Sequence, residues 1–362
     1  MKPNELKTRL KTTAFAFRGY NVTNLGRSPE LLAHQAYGPI VRECLESASS
    51  VCAEMTGKPV DLVSRVRRHE ETSLGEYAEA IALIMAMSQA QIRILGEQFG
   101  IELKQAQFTL GYSLGEITAV AMSGLLALND AMRVPLALAK DCAAMAHDVT
   151  LGVLFSRGKL LPLNAIRKLC LELNQTGQGV IGISAVLSPN SILLMGQGDT
   201  LDRFQIAMRQ FPDRLTLRKN DAKFPPLHTP IVWQRNVCDR AAVLMQTLPG
   251  GLCAPVPKVL SLVTGKCSYT DVNARQILQD WTDHPQLLWD AVYEILRSNV
   301  DLIVHVGPAP NIMPATFTRL KDNVETEMKE KLGVRALTAV VDHPWIRRLL
   351  PERTALLRAP MI

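Results

Sequence analysis

Gly111-Tyr112-Ser113-Leu114-Gly115 sets a serine hydroxyl midway between two glycines. A serine oxygen is a weak nucleophile until a base takes its proton and a fixed backbone exposes it. Glycines at 111 and 115 allow a tight strand-to-helix turn in which a side chain would strike neighbouring backbone. Gln107-Phe108-Thr109-Leu110 reads as a compact strand running into this turn, and Ile117 to Leu128, rich in Ala, Met and Leu, reads as the helix leaving it. Strand, sharp turn and helix are the parts of a nucleophile elbow, so Ser113 is the candidate nucleophile of an acyl-transferring or acyl-hydrolysing enzyme. At a helix N-terminus, free backbone N–H groups such as that of Leu114 can stabilise an oxyanion.

A base must come from one of seven histidines. Among them, His228 lies in Phe224-Pro225-Pro226-Leu227-His228-Thr229-Pro230, a proline-stiffened loop, and loops held by rigid scaffolds favour catalysis. From position alone, His228 could equally cap the following helix or pack at a seam. His305 falls inside an apparent strand and reads as structural.

The elements that must position these groups follow from hydrophobic period and turn residues. Thr13 to Phe17 is a buried first strand, followed by helices from about Pro29 to Met55 and from Glu76 to Phe99. Between 151 and 224 the chain breaks into short pieces: strands at 152–155, 180–187, 192–195 and 214–217, with helices at 163–173 and 201–210. That βαββαβ order predicts a ferredoxin-like subdomain inserted into a larger α/β body spanning 1–150 and 225–320. The body resumes with a helix at 231–248, a strand at 258–263, a helix at 285–298 and a strand at 302–306. A charged helix at 322–331 and a basic end with Arg347, Arg348, Arg353 and Arg358 form a C-terminal helical extension, 321–362, whose arginines read more simply as a solvated tail than as a dock for an acidic partner.

With 362 residues, 47% hydrophobic and 20% charged, the chain can bury a core without staples. A net charge of +6 favours acidic partners, while 5% aromatic content with no basic-aromatic interleaving argues against nucleic acid. Seven scattered cysteines with no C-x-x-C pair read as thiols in a reducing compartment, and no metal site is expected. The apolar stretch 14–17 is too short for a signal-peptide core, and no segment reads as a membrane span. A cytoplasmic location is expected.

Gly111 to Glu116 resembles the Gly-His-Ser-Leu-Gly-Glu motif of the malonyl-CoA:acyl-carrier-protein transacylases and the acyltransferase domains of fatty acid and polyketide synthases, with Tyr112 in place of the histidine. The similarity extends through Phe15 to Gly19, Gly124, Asp130 to Arg133, His228 and Val306-Gly307-Pro308, and covers about residues 13 to 320. It implies an α/β-hydrolase-like large subdomain with the ferredoxin-like insertion, no permanently bound cofactor, acyl-CoA as substrate and the phosphopantetheine arm of an acyl carrier protein as acceptor. It further implies Ser113 as nucleophile, His228 as general base oriented by a backbone carbonyl, and oxyanion donors at the backbone N–H of Leu114 and Tyr20. Tyr112 and position 138 are then expected in the substrate pocket.

Three departures bear on the substrate. Gly19-Tyr20-Asn21-Val22-Thr23 stands where the family has Gly-Gln-Gly-Ser-Gln, and the glutamine expected near 76–81 is missing. The arginine that grips a malonyl carboxylate falls, by a count without gaps, on Leu138, so an acyl group without a free carboxylate is expected. A thioesterase releasing acyl groups to water and a carrier-protein-binding scaffold without activity are the alternatives.

Overall fold

The computed structural model describes residues 3–156, 160–309 and 311, so the predicted C-terminal extension and its arginines lie outside the described residues. β1 (Thr13–Phe17) is buried along its whole length, as a central parallel strand covered on both faces must be. It pairs in parallel with β2 (Phe108–Gly111) on one side and β8 (Leu302–Val306) on the other, and β2 pairs with β7 (Lys258–Leu260). The four form a parallel sheet of order β7-β2-β1-β8.

Helices Gly38–Thr56, Tyr77–Phe99 and Leu128–Ala146 pack together beside this sheet. The segment Leu74–Phe99 is long and apolar enough to cross a membrane, which corrects the reading that no such segment exists. Within the fold it is a core helix, with residues 80–87 wholly buried by protein.

A second, antiparallel sheet has the order β4-β5-β3-β6, built from β3 (Val149–Ser156), β4 (Ile181–Ser188), β5 (Ser191–Gln197) and β6 (Leu215–Asn220). Helices Leu163–Gln175 and Thr200–Ala207 cover one of its faces. Strand alternation divides the side chains: Leu154, Ile192 and Leu194 join the small core under those helices, whereas Leu151, Val153, Leu193 and Met195 line a cavity against the first sheet.

Several boundaries differ from expectation. The predicted helix 29–55 is two helices, Ser28–Ala33 and Gly38–Thr56, because Pro39 has no N–H to donate and starts a new helix in its first turn. The helix after the serine starts at Leu114 and stops at Met122, and a second begins only at Leu128. The predicted 231–248 helix is broken at Asn236, whose φ is 51°. Strand 258–263 shortens to three residues, and the helices Leu62–Arg67 and Ala274–Asp280 were not anticipated.

Glu116 anchors the serine-bearing helix to the loop after β7. Its carboxyl group is wholly buried and accepts hydrogen bonds from the Ser261 hydroxyl (2.5 Å), the Tyr269 hydroxyl (2.9 Å) and the Leu262 N–H (2.9 Å). Burial raises its pKa to about 7, with these donors opposing the rise. Glu116→Ala would leave three buried donors without a partner, so denaturant titration should show a loss on the order of 3 kcal/mol.

Candidate active site

Ser113 occupies the bend between β2 and the helix Leu114–Met122, with φ 54° and ψ −119°. A positive φ at a non-glycine residue is strained and persists only where the surroundings enforce it. They do so here by close approach. A Cβ on Gly111 would lie 2.1 Å from the Gly115 carbonyl, and a Cβ on Gly115 would lie 2.2 Å from the Phe17 oxygen of β1.

His228 arrives from the loop after β6, also with positive φ (67°), and its N–H donates to the Thr282 carbonyl at 2.7 Å. Its Nε2 is 2.7 Å from Ser113 Oγ, and its Nδ1 is 2.7 Å from the Trp281 carbonyl. A carbonyl can only accept, so Nδ1 carries the proton and Nε2 presents its lone pair to the serine hydroxyl. That tautomer makes the Gln286 amide, 3.3 Å from Nδ1, a neighbour rather than a second donor. Burial lowers the His228 pKa to about 4, with the Trp281 carbonyl and Asp283 opposing the shift, so the ring is neutral and able to accept a proton at physiological pH.

Further residues converge on Ser113 from one segment, 281–286. The Trp281 indole N–H donates to the Ser113 carbonyl (2.9 Å), and the Gln286 side-chain oxygen accepts from the Ser113 N–H (3.0 Å). The backbone of Gln286 bonds to Ser184 and Val186 of β4. The backbone N–H groups of Leu114 and Tyr20 donate to no described residue, and Tyr20 lines the cavity beside Ser113.

The Tyr20 loop is held by Arg18, 1% exposed, whose guanidinium donates to the carbonyls of Gly19 (2.8 Å), Thr23 (3.1 Å) and Pro308, and to Asn24 Oδ1 (2.8 Å). Glu71 accepts the N–H groups of Asn24 and Leu25 and so closes the loop. Burial lowers Arg18 to about 10, partly offset by Glu71, and it stays charged at neutral pH.

The cavity at the dyad has a volume of about 240 Å³. Tyr112 lines it, and Leu138 does not. Leu138 is 1% exposed and packs into the main core, on the buried side of the helix Leu128–Ala146. Arg133 pairs with Glu54, away from the cavity. Among the described residues lining the cavity, none carries a fixed charge, and no described group of His, Cys, Asp and Glu could hold a metal ion.

No family model matches the chain. Among curated proteins it is 25% identical to the highly reducing polyketide synthase dmxL2 of Cryptosporiopsis sp. over 335 residues, which is 87% of this chain and 13% of that protein. It is 27% identical to the polyketide synthase GfsB of Streptomyces halstedii over 56% of this chain and 3% of that protein. The chain spans between 3% and 15% of the length of the curated relatives it matches. Among solved structures, the malonyl-CoA:acyl carrier protein transacylase of Xanthomonas oryzae superposes with a TM-score of 0.68 at 21% identity, covering 86% of this chain and 92% of that one. The fold is that of the malonyl-CoA:acyl-carrier-protein transacylases. The acyltransferase domain from the second module of the salinomycin polyketide synthase shares it, with a TM-score of 0.66 at 20% identity over 84% of this chain and 65% of that one.

On this transacylase fold, Trp281, Gln286 and Arg18 were not singled out from sequence. A tryptophan and a glutamine between two short helices carry no local signal of their role. Arg18 directly after an apolar strand was a visible anomaly, since a charge entering the core demands partners.

Two outcomes test this geometry. A fluorophosphonate should react with Ser113 at a rate that rises through pH about 4 and is flat across the neutral range, since protonated His228 cannot accept the serine proton. An inflection near the ordinary imidazole value of 6.5 would contradict the burial of the ring. Arg18→Met removes the guanidinium's hydrogen bonds to Gly19, Thr23, Asn24 and Pro308 and should cost on the order of 3 kcal/mol in denaturant unfolding, with Arg18→Lys intermediate.

Proposed function

We propose that the protein is an acyltransferase that takes an acyl group from acyl-CoA onto Ser113 and passes it to the phosphopantetheine thiol of an acyl carrier protein in fatty acid or polyketide synthesis. The observation that carries this reading is the Ser113–His228 pair at 2.7 Å, with the imidazole oriented by a backbone carbonyl at the mouth of an uncharged cavity. The shared fold supports it, and one solved neighbour is described as a malonyl-transacylase in complex with its acyl-carrier protein, at a TM-score of 0.66 and 19% identity. We read the architecture as an α/β-hydrolase-like large subdomain, 1–150 and 225–320, with a ferredoxin-like insertion at 151–224. The two separate sheets and the separate small core under the second sheet's helices support that division.

In this mechanism Ser113 Oγ attacks the thioester carbonyl as its proton passes to His228 Nε2. The carbonyl π electrons move onto oxygen, where the N–H groups of Leu114 and Tyr20 receive the charge. Collapse expels the CoA sulfur, which takes the proton from His228, and leaves the acyl group as an ester on Ser113. The carrier thiol then gives its proton to His228 and attacks the ester, and the same steps run in reverse.

The acyl group is one without a free carboxylate. The cavity offers no fixed cation among its described lining residues, and a carboxylate moved there from water would lack a partner. Leu138 lies in the core and takes no part in this selection. Intact mass of the protein after incubation with acetyl-, butyryl- and malonyl-CoA should show adducts from the uncharged donors, none in Ser113→Ala, and transfer of the label to a holo carrier protein. Faster labelling by malonyl-CoA than by either uncharged donor would overturn the substrate reading. Loss of label to water at the same rate with and without carrier would favour a thioesterase.

A further inference from the structure

We infer that the cavity is built for an acyl group bearing an uncharged, hydrogen-bond-accepting oxygen, a hydroxyl or keto group, which the Tyr77 side chain recognises. This rests on the acyltransferase reading and specifies its substrate class.

Tyr77 begins the core helix Tyr77–Phe99 and is 4% exposed, yet it lines the cavity. Its ring meets Tyr20 edge-on at 4.8 Å between centroids. Its hydroxyl bonds to no described residue and is not among the fully enclosed polar atoms that lack partners, so it keeps some accessible surface, and the residue lines the cavity. Buried phenol hydroxyls ordinarily find an acceptor, and one left open in a cavity is satisfied by what binds there. Burial pushes the Tyr77 pKa well above its ordinary value, so the phenol is a neutral donor under all working conditions.

The antiparallel sheet lines the cavity mainly with aliphatic side chains, Leu151, Val153, Leu187, Leu193 and Met195, beside Ser184 and Asn220, and the carbon chain packs on the aliphatic ones. A neutral donor in a mainly aliphatic cavity selects an oxygen that brings no charge with it. A carboxylate would need a cation, and a plain alkyl chain would leave the phenol without a partner. A site built around such a bond discriminates against the analogue that lacks it.

The experiment compares Ser113 labelling rates by intact mass for the full chain with butyryl-CoA, 3-hydroxybutyryl-CoA, acetoacetyl-CoA and malonyl-CoA, in wild type and Tyr77→Phe. Wild type is expected to take at least one oxygenated four-carbon group about tenfold faster than butyryl, as the loss of one buried hydrogen bond implies. Tyr77→Phe keeps the ring and should bring that ratio to about one. Each ratio is internal to one protein, so a general loss of activity in the variant does not imitate the effect. A wild-type ratio near one, or a ratio unchanged in Tyr77→Phe, overturns the inference while leaving the acyltransferase reading in place. Absence of labelling by all four thioesters, with Ser113 still reactive to the fluorophosphonate, overturns the acyltransferase reading and this inference with it.

Discussion

Backbone-to-backbone contact between the serine bend and β1 is the constraint on which the site depends. Gly115 approaches the Phe17 carbonyl so closely that no Cβ fits, and Gly111 is closed off in the same way by Gly115. With the helix start locked against the central strand, Ser113 has one available backbone geometry, and it is a strained one. The strain is sustained by contacts from distant parts of the chain. Trp281 and Gln286 bind the carbonyl and the N–H of the strained residue itself, while Glu116 ties the next helical turn to the loop after β7.

Charge is kept out of the reaction space. His228 is neutral because burial disfavours its cationic form. The Arg18 guanidinium is occupied, since the carbonyls of Gly19, Thr23 and Pro308 and the Asn24 amide oxygen take its donors and turn it into a brace for the Tyr20 loop. In such surroundings, a backbone N–H dipole interacts with a nearby charge more strongly than it would in water.

Local patterns carried much of this architecture. The glycine spacing around Ser113 marks a bend between strand and helix, and short apolar runs bounded by turn residues mark all four strands of the second sheet. What sequence could not reveal depends on contacts between distant segments. Trp281 and Gln286 matter only because the fold brings 281–286 against residue 113. Spacing from Ser113 alone does not say which side of the helix Leu128–Ala146 position 138 occupies, and direction around a helix decides which side chain faces a cavity. The helix breaks at Pro39 and Asn236 show the same limit, since hydrophobic period continues across a kink that backbone chemistry imposes.

Gln286 has a mechanical consequence. Its main chain extends the edge of β4 while its side chain holds the nitrogen of Ser113, so one residue belongs to both halves of the cleft. Swinging the antiparallel sheet outward as a rigid flap would tear that amide from the nucleophile and release the strained bend. A rigid opening of the cleft and the strained Ser113 geometry therefore exclude one another, so the bend keeps its shape only while the two sheets stay in place.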